Sequence, residues 1–496
     1  MIASKTALYQ ASQIRSCELM ATDELGLSED ELMARAGASA FSTLEILYPD
    51  VRSIAVFCGS GNNAGDGYVL ARLAHEKGFS VVINQYKTVE HLPPAARHAA
   101  LQTLAAGVLC QCLDDPIEPE IELIVDALLG IGLKGEVYGP LATAINQINE
   151  AELPVLALDV PSGLDADTGQ VMGACVRATQ TVTFIGYKLG LMTLDGADYC
   201  GDLICHNLEL DKCVAAIEPA AYLIDNYLNQ LLLPKRPKNS HKGLFGHVLI
   251  VGGGYGMPGS VLMAANAALR VGAGMVTIAT RPEYASQSLP LLPEAMIYGI
   301  EEAAEMLPLI NRATVCIIGP GLGEDEWAKM LFTTAMASQL PMVIDASALR
   351  LLADNQQHDD NWILTPHPGE AASLLNCTSA EIQQDRYQAI RRLQDVYGGN
   401  IVLKGAGSLV ATDKSEIYLC NAGNPGMASA GMGDALSGVI AGLVAQGLLL
   451  ADAAKLGVWL HAKAGDAAAA ERGERGIVAS DLMLYLQGLV NQRMYA

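Results

Sequence analysis

The chain of 496 residues is 51% hydrophobic and 17% charged, with a formal net charge of −23. That length predicts two domains or more, and the composition excludes a disordered protein. The acidic balance argues against nucleic acid as a partner. A small anionic ligand remains compatible with it, because a local helix N-terminus outweighs a distant net charge. Eleven cysteines, of which Cys110 and Cys112 are the closest pair, form no CxxC or Cys/His ladder suited to zinc. Scattered thiols of this kind point to a reducing, cytoplasmic setting. The opening "MIASKTALYQASQIRS" holds no apolar signal-peptide block.

In chain order, a helical lead over residues 10–47 comes first. Short β-branched runs then alternate with Ala/Leu-rich stretches, the pattern of a parallel sheet covered by helices. Strands are predicted at 53–59, 80–86, 122–130, 153–160 and 181–186. The alternation lapses around 211–245, where "PKRPKNSHKG" (234–243) reads as a connector. Strands resume at 247–253, 275–280, 314–321, 341–347, 361–370, 400–408, 409–412 and 416–420, followed by two long helices. The expected fold is α/β in two domains: a Rossmann-like three-layer domain over 1–215, a connecting segment over 216–242, and a second α/β domain over 243–496. The apolar stretch "ALSGVIAGLVAQGLLLA" (435–451) contains Ser437 and Gln446 and is shorter than the roughly 20 residues of a span. Buried helices and no membrane contact are expected.

In open parallel sheets, ligands lie beyond the carboxyl ends of the strands. Several loops at such ends are unusual in the second half: "GGGYGMPGS" (252–260), "GPGLG" (319–323), "TPHPGE" (365–370), "KGAGS" (404–408) and "NPGMASAGMGD" (424–434). The first contains Gly254-x-Gly256-x-x-Gly259, a literal dinucleotide fingerprint, and the next strand ends at Arg281, a position that selects a 2′-phosphate in Rossmann domains. Alone, that pair suggests an NADP dehydrogenase, but such a reading leaves the Gly-Met-Gly-Asp turn and "KGAGS" without a task. No Gly-Lys dipeptide occurs, so a P-loop is excluded. Asp434 has two readings: a helix cap, or a base beside the Gly431 and Gly433 amides that hold a phosphoryl group.

Together, "NPGMASAGMGDALSGVIAGLVAQG", "LTPHPGE" and "VLKGAGS" resemble the ADP-dependent NAD(P)H-hydrate dehydratases, members of the ribokinase-like superfamily, over roughly residues 225–496. The resemblance implies that ADP, with Mg2+, phosphorylates the hydroxyl of a hydrated nicotinamide ring, after which phosphate leaves and AMP remains. It implies Asp434 as the base, Lys404, Gly405, Ala406, Gly407 and Ser408 with Gly433 around the nucleotide, and His367, Gly323, Ser260 and Val261 near the hydrated cofactor. One departure stands out. The family's Asp-Ala-Asp reads "DASAL" here, with Asp345 kept and Ser347 in place of the second acid.

In the first half, "FCGSGNNAGDGYVLARLA" (57–74) is a strand, a glycine loop and a helix, with Asn62, Asn63 and Asp66 embedded in it. Amide oxygens and a carboxylate suit a hard cation, and loop amides suit a phosphate; a capped Asn-rich turn is the structural alternative. Asp126 and Asp159 each end an apolar strand, where an ionised carboxylate requires a partner or a metal. With "VDALLGIGLKGEVYGP" (125–140), "LDVPSGLDADTG" (158–169), "LMARAG" and "FIGYKLGL", this half resembles the NAD(P)H-hydrate epimerase domain over roughly residues 1–215. That likeness implies substrate contact by Asn62, Asn63, Ala64, Gly65 and Asp66, and by Gly130, Ile131, Gly132, Leu133, Lys134, Gly135 and Glu136. It also implies a potassium ion held by Asn63, Asp126 and Ser162, with Asp159 nearest the reacting carbon. Ala64 departs from the family's glycine, and Lys188 is either a second-rank site residue or a solvated lysine.

The two halves are coherent as one repair enzyme acting on the R and S hydrates of NADH and NADPH (NADHX and NADPHX), expected to self-associate. The alternatives are a ribokinase-like small-molecule kinase with a Rossmann-like accessory half, and a nucleotide-sensing scaffold.

Overall fold

Runs of Val, Ile, Leu and Ala with no polar interruption become strands buried on both faces, and helices must then cover both sides of the sheet. The computed structural model describes residues 5–225, 232–412, 414 and 416–492. The chain divides into two units, Ala7–Ala221 and Tyr222–Ala496, and Lys5 and Thr6 group with the second.

The first unit contains β1 (Ala7–Tyr9), β2 (Ser53–Cys58), β3 (Ser80–Gln85), β4 (Leu109–Cys112), β5 (Leu123–Ala127), β6 (Val155–Leu158), β7 (Gln180–Phe184), β8 (Tyr187–Lys188) and β9 (Asp202–His206). Seven of these form a parallel sheet in the order β4-β3-β2-β5-β6-β7-β9, while β1 pairs with β8. Ile54 and Val56 face one apolar core and Ala55 and Phe57 the other, so the three-layer expectation matches the fold. The strand order reverses between β2 and β5. This topological switch point opens a crevice at the carboxyl ends of both strands.

The second unit contains β10 (Ala221–Leu223, from Tyr222 onward), β11 (His247–Val251), β12 (Met275–Thr280), β13 (Met296–Gly299), β14 (Val315–Ile318), β15 (Met342–Ile344), β16 (Trp362–Leu364), β17 (Asn400–Leu403), β18 (Ser408–Ala411) and β19 (Ile417–Cys420). Their order is β13-β12-β11-β14-β15-β16-β17-β18-β19-β10. The sheet is not parallel throughout, as the alternation had suggested: β18 runs antiparallel to β17 and β19. Only four residues, Lys404 to Gly407, separate β17 from β18, far too few for a parallel crossover. The expected connector also contributes to the sheet, since Tyr222 and Leu223 pair with Tyr418 and Leu419. Its residues 226–231 lie outside the described residues.

The apolar stretch after Asp434 forms two helices, Met432–Ala445 and Leu450–Arg472. Every residue from Ala435 to Ala445 is buried. Glycines allow the first helix to lie directly on the helix Pro258–Val271: a Cβ on Gly438 would stand 2.1 Å from the Ala264 carbonyl oxygen. Among the described residues, no helix is long and apolar enough to cross a membrane.

Candidate functional site

In the second unit the carboxyl ends of β15, β16 and β17 and the start of the helix Met432–Ala445 enclose a cavity of about 400 Å³. It is lined by Asp345, His367, Glu370, Lys404, Gly405, Gly431, Gly433 and Asp434, among others. Gly431 takes a left-handed φ of +86° as the residue before the helix, which the absence of a Cβ permits. The N–H groups of the first turn have no intrahelical acceptor. Asp434 is the third helical residue, and the N-cap position belongs to Gly431, so the capping alternative is not what the backbone builds. Burial, and next the charge of Asp345, push its carboxyl up to about 6, against a hydrogen bond from Ser260 and the charge of Lys404.

Lys404 reaches into the same space. Its Nζ lies 2.9 Å from Asp345 Oδ1 and 3.6 Å from Glu370 Oε2. Burial works against its charge, but these two carboxylates outweigh it and hold its pKa above the ordinary value. Asp345, 1% exposed, also accepts from Ser437 Oγ at 2.7 Å. Burial opposes its charge too, yet Lys404 and the hydroxyl donors keep it below the usual range. The next residue, Ala346, has φ +48°, a conformation sparsely populated without glycine.

His367 serves both the local fold and the cavity. Its Nδ1 accepts the Gly369 N–H at 2.9 Å and caps the helix Pro368–Leu375, while the ring lines the cavity with Nε2 3.3 Å from Glu370 Oε1. The Ser347 hydroxyl accepts the Gly323 N–H at 3.3 Å. Neither of these two lines the cavity. Val261 is 0% exposed and packs in the hydrophobic core, so the structure does not present it to a ligand. Of the residues 404–408, Lys404 and Gly405 face the cavity, and Ala406, Gly407 and Ser408 do not line it.

In the first unit the switch-point crevice gathers the other candidates. Asp126, fully buried, accepts from Ser162 N at 2.8 Å and Ser162 Oγ at 2.6 Å. Burial pushes its carboxyl up to about 6, and those bonds pull the other way. Ser162 Oγ accepts the Leu129 N–H at 2.7 Å, and Asn63 Nδ2 donates to the Leu129 carbonyl at 2.9 Å. The Asn63 Oδ1 is buried without a hydrogen-bond partner.

Asp159 has φ +65° and is ion-paired with Lys188, whose side chain is 0% exposed. The solvated-lysine alternative therefore fails. Lys188 also donates to Thr183 Oγ1 at 2.8 Å and Phe184 O at 2.7 Å. Gly130 lies beside both Asn63 and Asp159: a Cβ there would stand 3.2 Å from Asn63 Cβ and 3.6 Å from Asp159 Oδ2. Burial, and next the Asp159 charge, raise the Asp66 carboxyl well above its usual range.

Not every predicted residue turns toward the crevice. Ala64 is 0% exposed in the core, and a Cβ on Gly65 would meet Met33 Sδ at 2.3 Å. Asn62, Gly132, Lys134, Gly135 and Glu136 are exposed, while Ile131 and Leu133 are half-buried. Asp165 folds onto its own loop, accepting from Asp167 N, Thr168 N and Thr168 Oγ1.

Two families match the chain: YjeF-related protein N-terminus over residues 29–190, and NAD(P)H-hydrate dehydratase over residues 248–487. The chain is 49% identical to the bifunctional NAD(P)H-hydrate repair enzyme Nnr of Coxiella burnetii, across 98% of this chain and 100% of the relative. The chain belongs to the family of bifunctional NAD(P)H-hydrate repair enzymes. Another member of this family, from Escherichia coli, is 42% identical over 98% of this chain and 94% of its own. Among solved structures, a ribokinase-like superfamily protein from Enterococcus faecalis superposes on 56% of this chain and 99% of its own, with TM-score 0.52 and 28% identity.

Some residues around the two candidate sites carry no signal in sequence. Arg15, on the lead helix Ala11–Leu25, donates to the Ile131 carbonyl at 2.7 Å. One turn on, Glu18 is raised in pKa first by burial and then by Asp159. Arg386 lies beneath residues 403–407. His461, held neutral by burial at a pKa of about 4, bonds to the backbone of Met432. An i, i+3 pair on a helix and an Ala-rich helix holding one histidine are ordinary patterns; only the tertiary packing gives them a role.

Proposed function

We propose that the chain repairs hydrated nicotinamide cofactors in two steps. The first domain, assigned to residues 1–215, interconverts the R and S hydrates of NADH and NADPH. The second, assigned to residues 243–496, uses ADP, delivered with Mg2+, to dehydrate the S form. The observation that carries the reading is Asp434: a carboxyl raised to about 6, in a cavity edged by unpartnered helix N–H groups.

Asp434 takes the proton of the ring hydroxyl as its oxygen attacks the terminal phosphorus of ADP, and AMP departs. The first-turn amides of the helix Met432–Ala445 and Lys404 offset the charge that develops on the transferring group. The ring nitrogen lone pair then expels phosphate, a proton leaves the adjacent ring carbon, and NAD(P)H is restored. Hydroxide has become a leaving group the ring is able to release. His367, fixed by its capping bond, keeps Nε2 toward the same space.

In the first domain Asp159 stands nearest the reacting carbon, and Asn62 to Asp66 with Gly130 to Glu136 surround the substrate. The orphaned Asn63 Oδ1, beside the Asp126–Ser162 pair, fits a cation bound through oxygen, and these three residues would hold potassium. Bound there, potassium would fix the glycine loops and offset substrate charge. We assign the activity to the cytoplasm, where eleven free cysteines stay reduced.

The test is to incubate the protein with mixed NADHX epimers and ADP and follow NADH. Recovery of all the cofactor together with AMP and free phosphate supports both steps. A stable phosphorylated product would instead establish a small-molecule kinase.

A further inference from the structure

The cavity of the second unit poses an electrostatic problem. Its lining carries three carboxyl groups, Asp345, Glu370 and Asp434, against the single ammonium of Lys404. Lys404 is already committed to two of those carboxylates. A nucleoside diphosphate is itself a polyanion. Positive charge from behind the lining has to make such a site attractive.

Arg386 is that charge. It is 2% exposed, and among the described residues no carboxylate lies within ion-pair distance of it. A buried ionised group in this state is costly, and breaking ordinary practice in this way calls for a partner. It is also the first residue of the helix Arg386–Tyr397, where the positive end of the helix dipole disfavours a cation. Its acceptors are neutral: Leu403 O at 3.2 Å, Lys404 O at 3.3 Å, Gly407 O at 3.3 Å and Gln383 Oε1 at 3.0 Å. Its Nε is buried with no acceptor. Gly405, which lines the cavity, lies directly over the guanidinium: at φ +143°, a Cβ there would stand 2.5 Å from an Arg386 terminal nitrogen. One peptide layer separates the charge from the cavity.

We propose that Arg386 is a positioning residue whose buried charge, acting through the 404–407 turn, is compensated by the phosphates of a bound nucleoside diphosphate. This inference rests on the reading that the nucleotide sits on that turn. It follows that phosphate-bearing ligands depend on Arg386 and the nucleoside portion does not.

The test uses the full chain, with Arg386→Met to remove the charge and Arg386→Lys to keep it. Binding of ADP, AMP and adenosine is measured by calorimetry, alongside KM for ADP and for NADHX. Arg386→Met is expected to weaken ADP about tenfold or more, from one Coulomb interaction across a protein layer. AMP is weakened less, adenosine less than about twofold, and KM for NADHX is unchanged within about twofold. Arg386→Lys restores most of the ADP affinity. Equal loss for ADP and adenosine, or no rescue by lysine, reduces Arg386 to a shaper of the turn and overturns the proposal. If the methionine variant does not fold, the ADP-to-adenosine affinity ratio of Arg386→Lys decides: a ratio near that of the unaltered protein upholds the charge role, and a collapsed ratio sinks it. An unaltered protein that binds no ADP overturns the nucleotide reading itself and this inference with it.

Discussion

Asp434 shows a conflict between stability and chemistry at the level of one side chain. Its folded pKa of about 6 exceeds the usual unfolded value of about 3.9, so the fold prefers the protonated form. The sign follows from linkage: the favourable contribution is complete below about pH 4 and is lost as pH rises through about 6. The proposed catalysis needs the opposite form, since a base must be unprotonated to accept the hydroxyl proton. Dehydration is therefore expected to rise with pH through about 6. Asp434→Asn should lower it about 10²- to 10⁴-fold while ADP binding persists, and should raise the melting temperature at pH 8 with no gain at pH 4. Paired assays and melting curves at the two pH values check this. Asp126 and Asp159 stood out in the sequence because each ends an apolar strand, and Asp434 because it follows a glycine-rich turn at the mouth of an apolar helix, where a cap was the competing explanation. Arg386 and Glu18 were not, because their environments come from residues distant in the chain. Ala64 and Val261 were read as ligand contacts where packing turns them inward.

Among the elements, the helix Met432–Ala445 owes its position to glycine. Gly438→Ala would drive a Cβ to 2.1 Å from the Ala264 carbonyl oxygen, and backbone on both sides has no rotamer with which to yield. A destabilisation of about 1–3 kcal/mol is expected, measured by denaturant unfolding. The same substitution separates Ser260 from Asp434 and should depress dehydration while leaving epimerisation untouched. Buried central strands were readable as continuous apolar runs. The edge strands β4 and β13 were not, since each is only four residues long and carries a Gln or a Gly, which leaves too short an apolar run to mark a strand. The hairpin at 404–407 was also hidden, because a glycine-rich turn after a strand looks alike whether the chain returns antiparallel or crosses over.

For the whole molecule, the two candidate sites belong to separate units, and the proposed two-step repair predicts that the hydrated cofactor is released by one and bound by the other. Asp159→Asn should halt on mixed epimers once the S form is consumed. Mixing that variant with Asp434→Asn should restore full conversion, as followed by NADH absorbance; failure of the mixture would mean that the intermediate is never released. The apolar helix Met432–Ala445, buried from Ala435 onward, bears on how the protein is born. Its partners in the core include Val248, Ile250, Val276, Ile278, Val315 and Ile317 from strands that precede it in the chain. A ribosome therefore delivers the sheet before its cover, and one oily face waits uncovered until residues 432–472 emerge. Nascent chains arrested before that point are the ones for chaperones to shield.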